Sequence, residues 1–447
     1  MKKLTHQFSN SELLSLILPL TLESGLNILI GMVDTMMVAS CGESAVSAVA
    51  LVDSISFLLI TVLSAFATGG AVICSQYLGN KDGERARTTA RNLIFISLVI
   101  GAILPLVVLP MRMFIIWNVF GTITDIVAGY ANDYFFFLIL SYPFLALYSA
   151  YTALARSEGK TKRTFYVALV MNLVNVAGNA ILIFIFKLGP KGASISTLVS
   201  RVLGTAILML FSTREKEVLS TRGILKNAPS GELIKKIVKI GVPTGIEGSF
   251  FHIGKITITA MVSTLGTSAI AINTVVNNYN AYCNISGNAI CLAMITVIGQ
   301  CRGNNNFEDI HYYTKKLLGI LYAMSVITAI PLYIFSNQVV GLYGLEPANI
   351  VKCVPIARSC LIACCTIWPL AFCLPNTLKA VGDVKFIMIS SLLSVYAVRV
   401  LGAYIFIKVL GFGVWGVWCA MYIDWIARSI LYITRYKNGK WKAIKLI

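Results

Sequence analysis

PLTLESGLNILIGMVDTMMVASCGESA occupies residues 19–45, and PTGIEGSFFHIGKITITAMVSTLGTSA occupies residues 243–269. Sliding the chain by 224 positions lays the first stretch on the second. Pro19 falls on Pro243, Glu23 on Glu247, Thr35 on Thr259 and Val38 on Val262, while Gly42, Ser44 and Ala45 fall on Gly266, Ser268 and Ala269. The register continues without a gap: Ala65 meets Ala289, Gln76 meets Gln300, and Gly79, Asn80 and Glu84 meet Gly303, Asn304 and Glu308. Matched Pro, Glu, Gln and Gly at one fixed offset argue against chance similarity in apolar sequence. The repeated segments are long and apolar, so the repeat unit is a bundle of membrane helices. Duplicated bundles are a common plan for secondary transporters, with the substrate site at the repeat interface.

Composition agrees. The 447 residues are 57% hydrophobic and 13% charged, with mean hydropathy +0.79, against about 25% charged residues in soluble domains. A bilayer-crossing helix needs about 20 mostly apolar residues. Such runs fall at 13–39, 46–74, 93–117, 130–154, 165–186 and 193–212, then at 241–263, 269–300, 317–337, 351–374, 386–407 and 413–434. The expected fold is an all-α integral membrane protein of twelve transmembrane helices in two pseudo-symmetric six-helix lobes. The N-lobe is 1–212, a basic cytoplasmic linker is 213–240 and the C-lobe is 241–447. Six spans per half give both halves the same orientation. MKKLTHQFSNSE leads straight into the first run without a cleavable signal pattern, so the first helix is expected to stay.

The net charge of +18 is topological. Most Lys and Arg lie on the N-terminus, the even-numbered loops and the C-terminus, whereas the odd-numbered loops carry Arg112, Lys187, Lys191, Lys352 and Lys408. The positive-inside rule then puts both termini in the cytoplasm of a multi-pass plasma (inner) membrane protein. The surplus faces anionic lipid, not nucleic acid. The linker end GELIKKIVKIG has helical periodicity, which fits a helix on the inner membrane surface or a solvated loop. The cysteines lie mostly in spans and lack metal-ligand spacing, so they read as small packing residues with no metal site. No Walker motif occurs, so energy must come from an ion gradient or a partner.

Ionisable residues in mid-span are expensive and usually face a cavity or a partner. Glu23 and Asp34 share one face of the first helix. A carboxylate held away from water at Asp34 is a candidate to gain and lose a proton, or to ligate sodium with neighbouring oxygens. The fifth helix carries Asn172, Asn175 and Asn179 on one face, and the sixth opens with Ser194, Ser196, Thr197 and Ser200. These groups can complete a cation shell, hydrogen-bond a protonated acid, or bind helix to helix. In the eighth helix Asn273, Asn277, Asn280, Asn284 and Asn288 form one stripe that suits a water-filled cavity, and Asp53 is the repeat-mate of Asn277. Glu247 and Lys255 in the seventh helix stand about 12 Å apart along an ideal helix, so each needs another partner. His252 beside them is a structural residue or a proton relay. Arg399 and Asp424 are placed to pair with each other. Pro19 is a hinge or the mark where the buried span begins.

At PLTLESGLNILIGMVDTMMVASCG, GGAVICSQYLGNKDGERA, ARSEGKTK with its mate LKAVGDVK, GPKGASIST and GVPTGIEG, the chain resembles the multidrug and toxic compound extrusion (MATE) family, bacterial multidrug-type branch, over nearly its whole length. The resemblance implies a non-enzymatic antiporter of two six-helix lobes around a central cleft. It would expel cationic amphiphiles against a proton or sodium gradient, without a cofactor and as a monomer. It assigns the N-lobe ion site to Asp34, Asn175, Asn179 and Thr197. The second fifth-helix position is often Asp in the family; here it is Asn179, which tilts the expected coupling ion from sodium to protons. Glu23, Asp53, Glu247, His252, Lys255, Asn277, Asn280 and Asn284 are the candidate substrate-cavity residues. Two alternatives are a flippase of the same superfamily moving a lipid-linked saccharide and an exporter of an endogenous metabolite. An acidic lining favours organic cations and a basic one favours lipid phosphates.

Overall fold

A computed structural model describes residues 6–119, 123–214, 217–223 and 228–447, and is helical with no strand among them. The chain divides into two units, Ser9–Gly245 and Ile246–Leu446, the latter joined by residues 6–8. The first unit contains α1 (Asn10–Ala39), α2 (Glu43–Gly79), α3 (Gly83–Val119), α4 (Asp125–Leu140 and Tyr142–Ser157), α5 (Thr161–Ile185) and α6 (Pro190–Ser212). Next comes α7 (Gly231–Ser263). The second unit continues with α8 (Thr267–Cys283 and Ile285–Gly303), α9 (Phe307–Ile334), α10 (Pro347–Thr366, extended by turns to Ala380), α11 (Val384–Val409) and α12 (Gly413–Lys437). Among the described residues nine helices are long and apolar enough to cross a membrane, ten with α4, whose arms meet at 46°, counted as one span. The two spans that this test of apolarity misses, α7 and α12, carry Glu247 and Lys255, and Asp424 and Arg428, in their interiors.

The duplication is written into the backbone. Left-handed φ values occur at Gly42 and Gly266 (99° and 96°), Lys81 and Asn305 (58° and 51°), Lys187 and Gly411 (54° and 69°), and Gly189 and Gly413 (56° and 56°), each pair at the offset of 224. Gly42 and Gly266 are the N-caps of α2 and α8, where a Cβ would strain the turn. π-helical turns close α5 at Ala180–Ile185 and α11 at Ile405–Val409, again at mated positions. Such turns re-aim side chains and recur at functional sites.

Three expectations change. The linker end GELIKKIVKIG is neither a surface helix nor a loop: it is the first three turns of α7, continuous with the span. Leu233, Ile237 and Ile240 are buried there. A Cβ on Gly69 of α2 would stand 2.7 Å from the Ile237 carbonyl oxygen, so the absent side chain lets the two backbones touch. Pro19 lies buried inside an unbroken α1 rather than at its start. Residues 6–8 leave the expected N-lobe and pack on α9, where His6 Nδ1 meets Asp309 Oδ1 at 2.7 Å and the His6 ring stacks on Tyr312 at 3.7 Å.

Candidate functional site

The seam between α1 and α5 is a ladder of polar side chains within an otherwise apolar unit. Thr164 donates to Glu23 Oε2 at 3.0 Å and Asn172 donates to Asn27 Oδ1 at 3.2 Å. One step further, Asn179 donates its amide to Asp34 Oδ1 at 2.7 Å. Asn175 satisfies its neighbours with its NH2 turned to both Asp34 oxygens, at 3.1 and 3.1 Å, and its carbonyl accepting the Thr197 N–H at 3.3 Å. Asp34, Asn175, Asn179 and Thr197 thus meet at one place, supplied by α1, α5 and α6. Asp34 is half-buried and both asparagines are buried. Asn179 is the last α-helical residue before the π-turn, and its Oδ1 is buried with no donor.

A second carboxylate stands close by. Asp53 of α2 accepts from Tyr134 Oη at 3.1 Å and is near enough to Asp34 for their charges to interact. Arg201 of α6 acts electrostatically on Asp53 and donates to Ser141 Oγ at 2.6 Å, at the break in α4. The N-terminal site therefore holds two carboxylates and one guanidinium. Tyr134, Arg201 and Asn27 escaped the sequence reading. Arg201 had a signal, since it is a cation in an apolar span one turn after Thr197.

The C-terminal unit contains a cavity of about 280 Å³. All five residues of the α8 amide stripe, Asn273, Asn277, Asn280, Asn284 and Asn288, line it, together with Lys255, Arg399, Phe251, Trp368, Phe372, Trp418 and Trp425. The stripe stays on one face across the break at Asn284, where Asn284 donates to Asn280 Oδ1 at 2.7 Å. Arg399 pairs with Asp424 at 3.0 Å, and Arg428 holds the other Asp424 oxygen at 3.0 Å. The expected pair is thus a triad, buried throughout.

The other candidate cavity residues are separated from this one. Glu23 and Asp53 belong to the N-terminal unit. Glu247 is paired with Lys379 at 3.4 Å, and neither it nor half-buried His252 is in the lining.

The MatE family model matches residues 19–181 and again 243–405, both repeats at the same offset of 224. The chain belongs to the MATE family. A Bacillus subtilis transporter, YisQ, is 28% identical over 443 residues, covering 96% of this chain and 94% of YisQ. The probable multidrug resistance protein NorM of Thermotoga maritima is 24% identical, covering 96% and 93% of the two chains. A solved outward-facing multidrug resistance MATE transporter superposes with TM-score 0.90 at 18% identity, covering 97% of this chain and 96% of that one. A MOP superfamily transporter from Pyrococcus furiosus superposes with TM-score 0.89 at 18% identity, covering 97% and 96%. This MATE protein is a multi-pass membrane transporter with twelve helices in two lobes.

Proposed function

We propose that this transporter exports amphiphilic organic cations in exchange for protons, and that Asp34 carries the exchanged proton. The observation that carries the reading is the Asn179 amide donating to Asp34 at 2.7 Å. A sodium ion wants oxygen ligands around it, whereas Asn179 offers the carboxylate N–H. That arrangement suits an ionised Asp34 with no metal ion beside it. Protonation adds an O–H that needs an acceptor. Asn179 can supply one by turning its amide over, which brings its unfilled Oδ1 to Asp34. An Asp at that position would have no donor to offer the ionised form. Asn179 therefore serves both protonation states with one rotation.

With Asp34 and Asp53 ionised against Arg201, the N-terminal site keeps one net negative charge, which attracts a cation. Protonating Asp34 removes that charge and the cation leaves. Exchange also requires that proton and drug favour different states of the transporter, since a ligand that binds both states equally shifts nothing. The distribution of Lys and Arg supports a plasma (inner) membrane orientation with both termini in the cytoplasm.

Ethidium efflux from energised cells tests this at equal membrane expression. Wild type exports, a protonophore stops it, and Asp34→Asn is inactive. Export by Asp34→Asn at the wild-type rate, or wild-type export that follows sodium instead of pH, would sink the proposal.

A further inference from the structure

The repeat carries the N-terminal site into the C-terminal cavity with its charge reversed. At the offset of 224, Asp34 maps onto Ile258, Asp53 onto Asn277, Asn175 onto Arg399 and Thr197 onto Met421. All four mates line the cavity. The duplicated pocket has kept its place in the fold and lost both acids; its guanidinium stands at another position, since Arg201 maps onto Trp425 while Arg399 is the mate of Asn175. Lys255 adds a second cation. It is exposed although it lies in the middle of a spanning helix, it lines the cavity, and its ammonium has no hydrogen-bond or ion-pair partner among the described residues. It interacts electrostatically with Arg399, a like charge.

No Asp or Glu among the described residues lines this cavity. Asp424 is fully buried and is shared by two arginines, so the triad keeps one net positive charge. The indole N–H groups of Trp418 and Trp425 are buried without acceptors; the one unfilled buried acceptor in the lining is Asn284 Oδ1. Two cations facing one space with no anion between them repel each other in a low dielectric, and unfilled donors there lose hydrogen bonds they would have in water. An oxyanion relieves both. Beside the cations, Trp368 and Phe372 stack at 5.3 Å and 22°, presenting a flat apolar surface.

We propose that the C-terminal cavity binds an oxyanion carried on a small aromatic or apolar body, with Lys255 and Arg399 taking the charge and the Trp368–Phe372 pair taking the ring. This adds anionic amphiphiles to the molecules the transporter handles. It rests on the export reading for its place in transport, but not for binding, which Asp34 does not control.

The test is binding of 2-naphthoate and of 2-naphthyltrimethylammonium to the purified full chain in phosphatidylcholine nanodiscs. Equilibrium dialysis and tryptophan quenching read it out. Naphthoate is expected to bind the more tightly, Lys255→Gln to weaken it about tenfold, and Lys255→Glu to reverse the preference. Lys255 has no protein partner, so these variants keep the fold. Adding phosphatidylglycerol separates the sources of the oxyanion. Loss of naphthoate binding supports the site and assigns it to a lipid headgroup; unchanged binding supports the site and assigns it to a soluble anion. Tighter binding of the trimethylammonium by wild type, or wild-type naphthoate affinity in Lys255→Gln, overturns the proposal. Asp34→Asn keeps the two readings apart: it should bind naphthoate like wild type even where export is lost.

Discussion

Replacing Asp424 by Asn removes one charge and almost no volume. Asp424 has 0% of its surface exposed and receives Arg399 and Arg428 at 3.0 Å each, with the Ser394 hydroxyl donating to the same carboxylate. In Asp424→Asn both guanidinium groups keep their charge and lose their counter-ion. Arg428 retains its bonds to Ser391, and both arginines retain the Phe251 ring at 5.3 and 5.5 Å, worth about 0.5–2 kcal/mol each. Breaking a buried ion pair by removing one partner costs about 3–5 kcal/mol. At about 2–4 °C per kcal/mol for a unit of this size, Asp424→Asn should melt about 10 °C below wild type. Thermal unfolding followed by size-exclusion chromatography in detergent measures it. Adding Arg399→Gln to Asp424→Asn should recover about half of the loss, because one unpaired cation is gone. A single variant that melts within about 2 °C of wild type would refute the reasoning, since it would mean that water already neutralises the triad through the cavity.

Three further outcomes follow from other sites. Asn179→Leu leaves Asp34 without its shortest hydrogen bond, and proton-driven export should fall about tenfold, the loss of one charged hydrogen bond; an unchanged pH-jump efflux rate counts against the amide rotation. Gly69→Ala sets a Cβ 2.7 Å from the Ile237 carbonyl oxygen and 3.1 Å from the Gly241 nitrogen, backbone atoms that cannot swing aside, so it should cost about 1–3 kcal/mol in thermal stability. Glu217, outside the spans, is raised by burial, but the hydrogen bonds and charges of Arg163 and Lys160 outweigh this and hold it down at about 2, below the usual 4.5. The unfolded chain binds that proton more readily. Its contribution to stability is therefore complete above pH 4.5 and lost as pH falls towards 2, and Glu217→Gln should flatten melting temperature against pH in that window.

Much of the polar cluster at Asp34 was legible because a helix turns spacing into direction. Asn172, Asn175 and Asn179 had to share a face, and so did the five asparagines of α8. What the spacing left open was the partner. Asn27 and Tyr134 look ordinary in their own helices and acquire meaning only from Asn172 and Asp53 across a seam. Glu247 and Lys255 could be shown not to pair with each other, yet Lys379 as the partner of one, and no partner for the other among the described residues, came from packing between helices distant in sequence. The continuous helix through GELIKKIVKIG was hidden because its basic face resembles an interfacial segment, while the feature that buries it, Gly69, lies in another span.

The sequence by itself determined the membrane class, the duplication and the register of its halves, since apolar length and a fixed offset are one-dimensional properties. The tertiary structure decided the sign of charge in each half. Asp34 and Asp53 gather amides, a tyrosine and one arginine, whereas their mates Ile258 and Asn277 join Lys255 and Arg399 around a cavity that no acid lines among the described residues. Electrostatic character belongs to a set of side chains brought within a few ångströms, and only the fold defines that set.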